Sequence, residues 1–147
     1  MHIILILAVI ILVPAIYFLS PIPLFPGPRL PAKIGSFDAL SENQTLKFFF
    51  TVMDKNNAEI STDAHVSFNV TAKGNDILYA DDFDIKKSEF VYIERTIFGY
   101  SQKFYGYYWE IPFSRLNYVP PIGNVSLTVT TTDGKVLTEK IERVLRW

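Results

Sequence analysis

The most constraining feature of this chain is a repeated alternation of apolar and polar residues with a period of two. In the clearest example Val66, Phe68 and Val70 share one side, and polar residues stand between them. Three segments show the pattern: TLKFFFTVM (45–53), HVSFNVTA (65–72) and NVSLTVTT (124–131). Successive side chains of a β-strand point to opposite faces, so the pattern predicts strands with one face on a core and one in water.

Turn-forming residues separate these segments. They are DKNN at 54–57, KGND at 73–76 and TDGK at 132–135. Shorter strands are predicted at 77–80, 90–95, 105–111 and 136–144, and a single helical turn at FSRL (113–116). Seven or eight short strands at this spacing predict an all-β fold, an antiparallel β-sandwich over residues 36–147.

The stretch FGYSQKFYGYYWEIP, residues 98–112, is unusually rich in aromatic residues. If 105–111 is a strand, one of its faces carries Tyr105, Tyr107, Trp109 and Ile111. A tryptophan packed between two sheets is an ordinary core residue, so we expect this face to be buried.

The opposite face of the same strand carries Phe104 and Tyr108, and Phe49 points outward from the strand at 45–53. Outward aromatic residues of this kind can form a contact patch for a partner protein, a polysaccharide or a membrane. Scattered aromatics covered by loops are the alternative. Phe49, Phe104 and Tyr108 are therefore the candidate interaction surface.

The N-terminus carries an uncharged apolar run, IILILAVIILVPAIYFL, at residues 3–19. As a helix it would measure roughly 25 Å, close to the ~30 Å hydrocarbon core of a bilayer. Residues 1–20 are therefore predicted to be one transmembrane helix. A cleaved signal peptide is the alternative, but no Lys or Arg precedes the run and no A-x-A pattern follows it.

Residues 21–35 are predicted to be a proline-rich spacer. PIPLFPGPRLP, at 21–31, has five prolines in eleven positions. Each proline fixes φ and removes an N–H donor, so the segment should be extended and semi-rigid, spanning on the order of 35 Å. The prolines also exclude the long continuous helix of a pilin-like subunit.

Composition excludes several kinds of chemistry. The chain has no cysteine and only two histidines, His2 and His65, so thiol catalysis, a catalytic triad, zinc and blue copper all lack a ligand or residue set. It has no glycine-rich phosphate loop. Its 14 basic and 15 acidic residues show no excess suited to nucleic acid. We expect no enzyme activity, no nucleic-acid partner, no small-molecule ligand and no resident cofactor.

Calcium is the one metal that the sequence suggests. The segment NDILYADDFD contains four carboxylates, Asp76, Asp81, Asp82 and Asp84. Hard oxygen ligands suit this ion, although the spacing is not that of a dedicated calcium loop. The alternative is a solvated acidic edge that discourages strand-to-strand aggregation.

Three N-glycosylation sequons begin at Asn43, Asn69 and Asn124. They favour an extracytoplasmic domain. The distribution of basic residues weakly favours the opposite orientation, because Arg29 and Lys33 follow the apolar run and nothing basic precedes it except the α-amine. We give the sequons more weight, since two charges so far past the helix are a weak topological signal.

Four segments together resemble a known class of domain. FFFTVMDKNNAEIS, ILYADDFDIKKSEFV, YYWEIPFSRL and VSLTVTTTDGKV follow one another as in immunoglobulin- or fibronectin-like domains of prokaryotic cell-envelope proteins, archaeal ones especially. The resemblance covers about residues 37–145 and consists of strands and turns. It implies that the predicted sandwich is immunoglobulin-like, an ectodomain used for binding or assembly, and it implies no catalytic residue.

The sequence therefore predicts a single-pass protein of the cytoplasmic membrane with an extracytoplasmic β-sandwich. Its expected function is a non-catalytic structural or docking component of an envelope or membrane protein assembly, with the bilayer and other membrane or envelope proteins as partners. One alternative is an accessory subunit of a larger membrane enzyme complex. Another is a module that binds polysaccharide or calcium.

Overall fold

The computed structural model describes residues 28–97 and 100–146, and its regular structure is almost entirely β. Nine strands lie in the described residues: β1 Lys33–Glu42, β2 Thr45–Met53, β3 Glu59–Ile60, β4 Ala64–Ala72, β5 Ile77–Ile85, β6 Val91–Ile97, β7 Tyr100–Pro112, β8 Ile122–Thr131 and β9 Val136–Val144. Two single-turn 3-10 helices, Lys87–Glu89 and Phe113–Arg115, lie between strands.

The strands form two antiparallel sheets. Sheet 1 has the order β1-β2-β7-β6, with the short β3 paired to β2, and sheet 2 has the order β5-β4-β8-β9. The two sheets face each other through their apolar sides. Phe48 of sheet 1 and Phe68 of sheet 2 lie edge to face, with ring centroids 4.5 Å apart. The predicted all-β class and two-sheet architecture are confirmed.

An aromatic cluster fills the centre of the sandwich. The Trp109 ring lies 5.2 Å from that of Phe48 and 5.2 Å from that of Phe68, so the indole bridges the two sheets. Ile111 is fully buried, and Tyr105 and Tyr107 pack against the core. The inward face predicted for the strand at 105–111 is therefore confirmed.

The turns form where the sequence predicts them. Gly74 and Gly134 have φ values of 101° and 81°, and Asn57 has a φ of 64°, so the hairpin turns use residues that tolerate the left-handed region. The DKNN turn is further fixed by Asp54, whose Oδ1 accepts backbone N–H groups of Asn56 at 2.8 Å and Ala58 at 3.0 Å.

Three strands are markedly longer or earlier than the sequence suggests, and one of them is β7, which begins at Tyr100 and not at 105. β1 begins at Lys33, inside the range assigned to the spacer, because its segment pairs with β2 along its whole length. Strand β5 continues past the predicted 77–80 to Ile85, despite three aspartates, because it lies at the edge of sheet 2 and pairs with β4 throughout. The predicted turn at 113–116 is confirmed as a 3-10 helix.

One side of the sandwich is closed by β1 and β9, which belong to different sheets. Asp38 Oδ1 accepts a hydrogen bond from Arg143 Nε at 2.7 Å, and Ser41 Oγ donates to the carbonyl of Val144 at 3.3 Å. The two strands therefore run side by side in the same direction. We call the end of the sandwich with Lys33 and Val136 the lower end, and the opposite end the upper end.

The predicted membrane helix at 3–19 and most of the predicted spacer lie outside the described residues. Within residues 28–97 and 100–146, no helix has the length and hydropathy needed to cross a bilayer. At the start of the described chain, Ala32 donates its N–H to the carbonyl of Met53 at 2.8 Å. The chain thus joins the domain at its lower end.

Candidate functional site

The three aromatic residues predicted to face outward come together on the outer face of sheet 1. Phe49 and Phe104 stack with ring centroids 5.7 Å apart and ring planes 26° from parallel. Phe49 is also the register partner of Tyr108 across β2 and β7. The structure therefore places all three in one patch.

A change of partner along β7 explains how Phe104 reaches Phe49. Tyr107–Pro112 pair with β2, whereas Tyr100–Gly106 pair with β6. Gly106 marks the change: a Cβ atom there would lie 2.3 Å from the carbonyl oxygen of Phe50, so only glycine fits against β2. Just below it, the N–H of Tyr105 donates to the carboxylate of Glu59 at 2.9 Å, which holds β7 beside β3.

Beside the aromatic patch is a depression of about 390 Å³, which we call the outer groove. Its walls are mostly apolar, and Tyr92 and Val91 are 78% and 49% exposed. The groove is lined by Leu40, Lys47, Phe49, Val91, Tyr92, Ile93, Glu94 and Tyr108. Two of the three residues of the candidate interaction surface, Phe49 and Tyr108, therefore line one concave apolar surface.

The charged groups around the outer groove are mostly acidic. Lys47 Nζ donates to Glu42 at 2.6 Å, and this hydrogen bond, with further help from the charge of Glu110, raises the pKa of Lys47. The hydroxyl of Tyr108 donates to Glu110; burial first, and then this bond, raises the pKa of Tyr108 above its usual value. Glu94 accepts from Ser101. With Lys103, the register partner of Glu94 on β7, two ammonium groups thus stand among three carboxylates.

The outer face of sheet 2 has the opposite character. It carries serine, threonine and asparagine residues from β4 and β8. At one end of it, His65 Nδ1 lies 2.8 Å from Asp84 Oδ1, and His65 Nε2 lies 3.9 Å from Asp82. Ser67 donates to Asp82. These exposed polar side chains bond to one another on a flat strand surface.

The four aspartates proposed for calcium do not converge. Asp82 and Asp84 face outward with Ser67 and His65, whereas Asp81 accepts from the Tyr79 hydroxyl at 2.6 Å. Asp76 is exposed, and its backbone carbonyl closes the preceding turn by accepting from Ala72. Alternation along β5 separates the carboxylates, and the described part of the chain contains no group of three or more His, Cys, Asp or Glu side chains that could hold a metal ion.

The three sequon asparagines occupy two regions. Asn43 is exposed in the turn between β1 and β2, with a φ of 50°. Asn69 and Asn124 are half-buried on the outer face of sheet 2, where their register partners on the neighbouring strand of the β4–β8 pair are Ser126 and Thr71. Two of the three sequons therefore share the polar face, and none lies on the outer groove.

Sequence reasoning missed four apolar residues of the groove: Leu40, Val91, Tyr92 and Ile93. The run Val91-Tyr92-Ile93 does not alternate, which is a signal that both faces of this strand meet apolar surroundings. Leu40 carried no such signal, because its exposure follows from the pairing of β1 with β2.

Comparison with known proteins gives no relative: no protein-family model matches the chain, and no curated protein matches it.

Proposed function

We propose that this protein is a membrane-anchored, extracytoplasmic docking component of an envelope or membrane protein assembly, without catalytic activity of its own. The observation that carries the proposal is the outer groove together with the stack of Phe49 on Phe104 beside it. An apolar, aromatic concavity with a polar rim is the surface that proteins use to bind other proteins. An aromatic anchor in such a surface supplies most of the binding energy.

The contrast between the two sheet faces supports this proposal. The outer face of sheet 2 is polar and carries two sequons, whereas the outer face of sheet 1 carries the aromatic patch. A glycan is bulky and solubilising, so a glycosylated face stays in solvent. The arrangement leaves sheet 1 as the face suited to a protein partner.

The strand order supports an immunoglobulin-like sandwich. With the two-residue β3 set aside and the other strands lettered along the chain, sheet 1 has the order A-B-E-D and sheet 2 the order C′-C-F-G. The core differs from that of antibody domains: there is no cysteine pair, and the central tryptophan, Trp109, comes from strand E instead of strand C. Such sandwiches commonly serve as cell-surface binding domains.

The predicted location rests on the apolar run at residues 3–19, the proline spacer after it and the three sequons. The described chain begins at the lower end of the sandwich, at the edge strand β1. An anchor attached at the lower end would hold the domain with its lower end towards the membrane. The outer groove would then lie on the side of the domain, where a neighbouring membrane protein can reach it.

A photocrosslinking experiment tests the proposal. In native membranes, the full-length protein carries the photocrosslinker p-benzoylphenylalanine in place of Tyr108. A control protein carries it in place of Tyr118, which is half-exposed but does not line the outer groove. After irradiation, gentle detergent extraction and purification through a C-terminal tag, mass spectrometry should find a stoichiometric membrane or envelope protein crosslinked at 108 and not at 118. A protein that purifies alone, with no crosslink at 108, would contradict docking.

The same experiment distinguishes a docking component from the main alternative, an accessory subunit of a membrane enzyme complex. If the crosslinked proteins are the subunits of one membrane enzyme, the chain is an accessory subunit of that complex. Retention on a polysaccharide column that is lost in Phe104→Ala, with no protein crosslink, would instead support the sugar-binding module.

A further inference from the structure

The four edge strands of the sandwich are protected to very different degrees. β5 carries Asp81, Asp82 and Asp84, β9 is rich in Glu, Lys and Arg, and β1 packs against β9. Proteins usually keep edge strands from pairing with other chains by placing charged residues on them or by covering them with another element. Among the described strands β6 hydrogen-bonds only to β7, and it too carries charges, in Glu94 and Arg95. It begins, however, with two consecutive exposed apolar residues, Val91 and Tyr92, whereas β5 and β9 each begin with one.

The outer groove follows the course of β6. Four consecutive residues, 91–94, line it. Neighbouring side chains of a strand point to opposite faces, so a groove lined by four residues in a row meets main-chain atoms of the strand as well as side chains. The groove therefore combines the main-chain edge of β6 with an apolar floor from Phe49, Tyr108 and Leu40. This combination suits an added strand, which takes affinity from main-chain hydrogen bonds and specificity from alternate side chains.

The charges around the groove restrict what this strand can be. Glu42, Glu94 and Glu110 outnumber Lys47 and Lys103: the Lys47 ammonium group is already bonded to Glu42, and Lys103 is the register partner of Glu94. A segment with basic residues at its ends would be attracted, and an acidic segment or an anionic lipid headgroup would be repelled.

We propose that the outer groove binds an extended apolar segment of a partner protein, flanked by basic residues, which pairs with β6 as an additional strand of sheet 1. This inference rests on the proposed docking function and specifies how docking occurs. The partner segment alternates apolar and polar residues, with the apolar side chains against Phe49 and Tyr108.

The test uses the full-length protein in detergent and a defined probe, the acetylated peptide Lys-Val-Thr-Val-Thr-Val-Lys. Two further peptides carry N-methyl groups, either on the valines or on the threonines. N-methylation removes donors from one edge of a strand only, so one methylated peptide should keep its affinity and the other should lose at least tenfold. Binding should also slow amide hydrogen exchange in residues 91–97.

Three controls sharpen the test. A peptide with Glu in place of both Lys should bind at least tenfold more weakly, and the affinity of the Lys peptide should fall as salt is added. Tyr108→Ala should weaken binding at least fivefold, whereas Tyr118→Ala should leave it unchanged.

Equal affinity of both methylated peptides, or protection of amides elsewhere than β6, would overturn strand addition. A full-length protein that is itself dimeric through β6, and that the peptide converts to a monomer, would show that the occupant is a second copy and would likewise overturn the proposal. Either result leaves the docking function standing if Tyr108 still crosslinks to a stoichiometric partner. Loss of that crosslink is what removes the docking function.

Discussion

Replacing Gly106 by alanine should destabilise the domain far more than a Gly→Ala change usually does. The new Cβ would lie 2.3 Å from the backbone oxygen of Phe50 and 3.1 Å from its carbonyl carbon. Real Cβ atoms essentially never approach another atom closer than 3.0 Å, so the two strands must separate by at least about 0.7 Å. Both partners are backbone, so no side-chain rotation can relieve the contact.

The size of the effect follows from two contributions. Overpacking that shifts backbone costs about 1–3 kcal/mol, and weakening a ladder hydrogen bond between β2 and β7 adds about 1 kcal/mol. We expect a loss of about 3 kcal/mol, or roughly 10 °C in Tm for a domain of this size.

Gly35→Ala is the matched control. Its new Cβ would meet Met53 Cε at 2.5 Å and Cγ and Sδ at 2.6 Å, but all three atoms belong to one flexible, half-exposed side chain that can change rotamer, and none is backbone. We expect a change below about 1 kcal/mol. Urea unfolding followed by tryptophan fluorescence measures both variants. Equal losses in the two, or a Gly106→Ala loss under about 1 kcal/mol, would refute the argument that β7 changes partner through a close backbone contact.

Further predictions concern the turn, the core and the titrating groups. Hydrogen bonds from the N–H groups of Ala58 and Asn56 lower the pKa of Asp54 below its usual 3.8. The stability that this carboxylate contributes is therefore present above pH 3.8 and is lost as the pH falls through the lower pKa of the folded state. Acid unfolding of Asp54→Asn should accordingly depend less on pH than acid unfolding of the parent protein. Burial, and then the hydrogen bond to Asp81, raises the pKa of Tyr79 from 10.0 to about 12. The contribution of the protonated hydroxyl to stability is therefore complete below pH 10 and is lost as the pH rises towards 12. In an ultraviolet titration, Tyr79→Phe should show one late-ionising tyrosine fewer than the parent protein. Phe68→Ala should cost about 3–5 kcal/mol in urea unfolding, whereas Tyr92→Ala, at an exposed position, should change stability by less than about 0.5 kcal/mol.

The predictions that succeeded rest on local rules. Alternation places Phe68 and Trp109 inward, and the turns form at Gly74 and Gly134 because glycine tolerates a positive φ. These properties depend on a residue and its near neighbours in sequence. Local pattern therefore sufficed for the strands, the turns and the inward face of β7.

The features that local pattern could not supply depend on pairing between distant segments. The patch requires Phe49 and Phe104 to meet, which follows from the change of partner at Gly106 and is invisible in either segment alone. The groove requires β6 to lie beside the outer face of β2. Asp81 and Asp82 are neighbours in sequence, but β5 extends through both, and its alternation sends their side chains to different partners.

The seam between β1 and β9 also has a mechanical consequence. The two strands run in the same direction, from the lower to the upper end, and are tied by the Asp38–Arg143 bond and by Ser41 with Val144. A pull that draws β1 downward and β9 upward therefore loads the seam in shear, so its contacts resist together and do not peel apart one after another. We expect the domain to bear tension along its long axis far better than a pull that lifts β1 sideways off the sandwich.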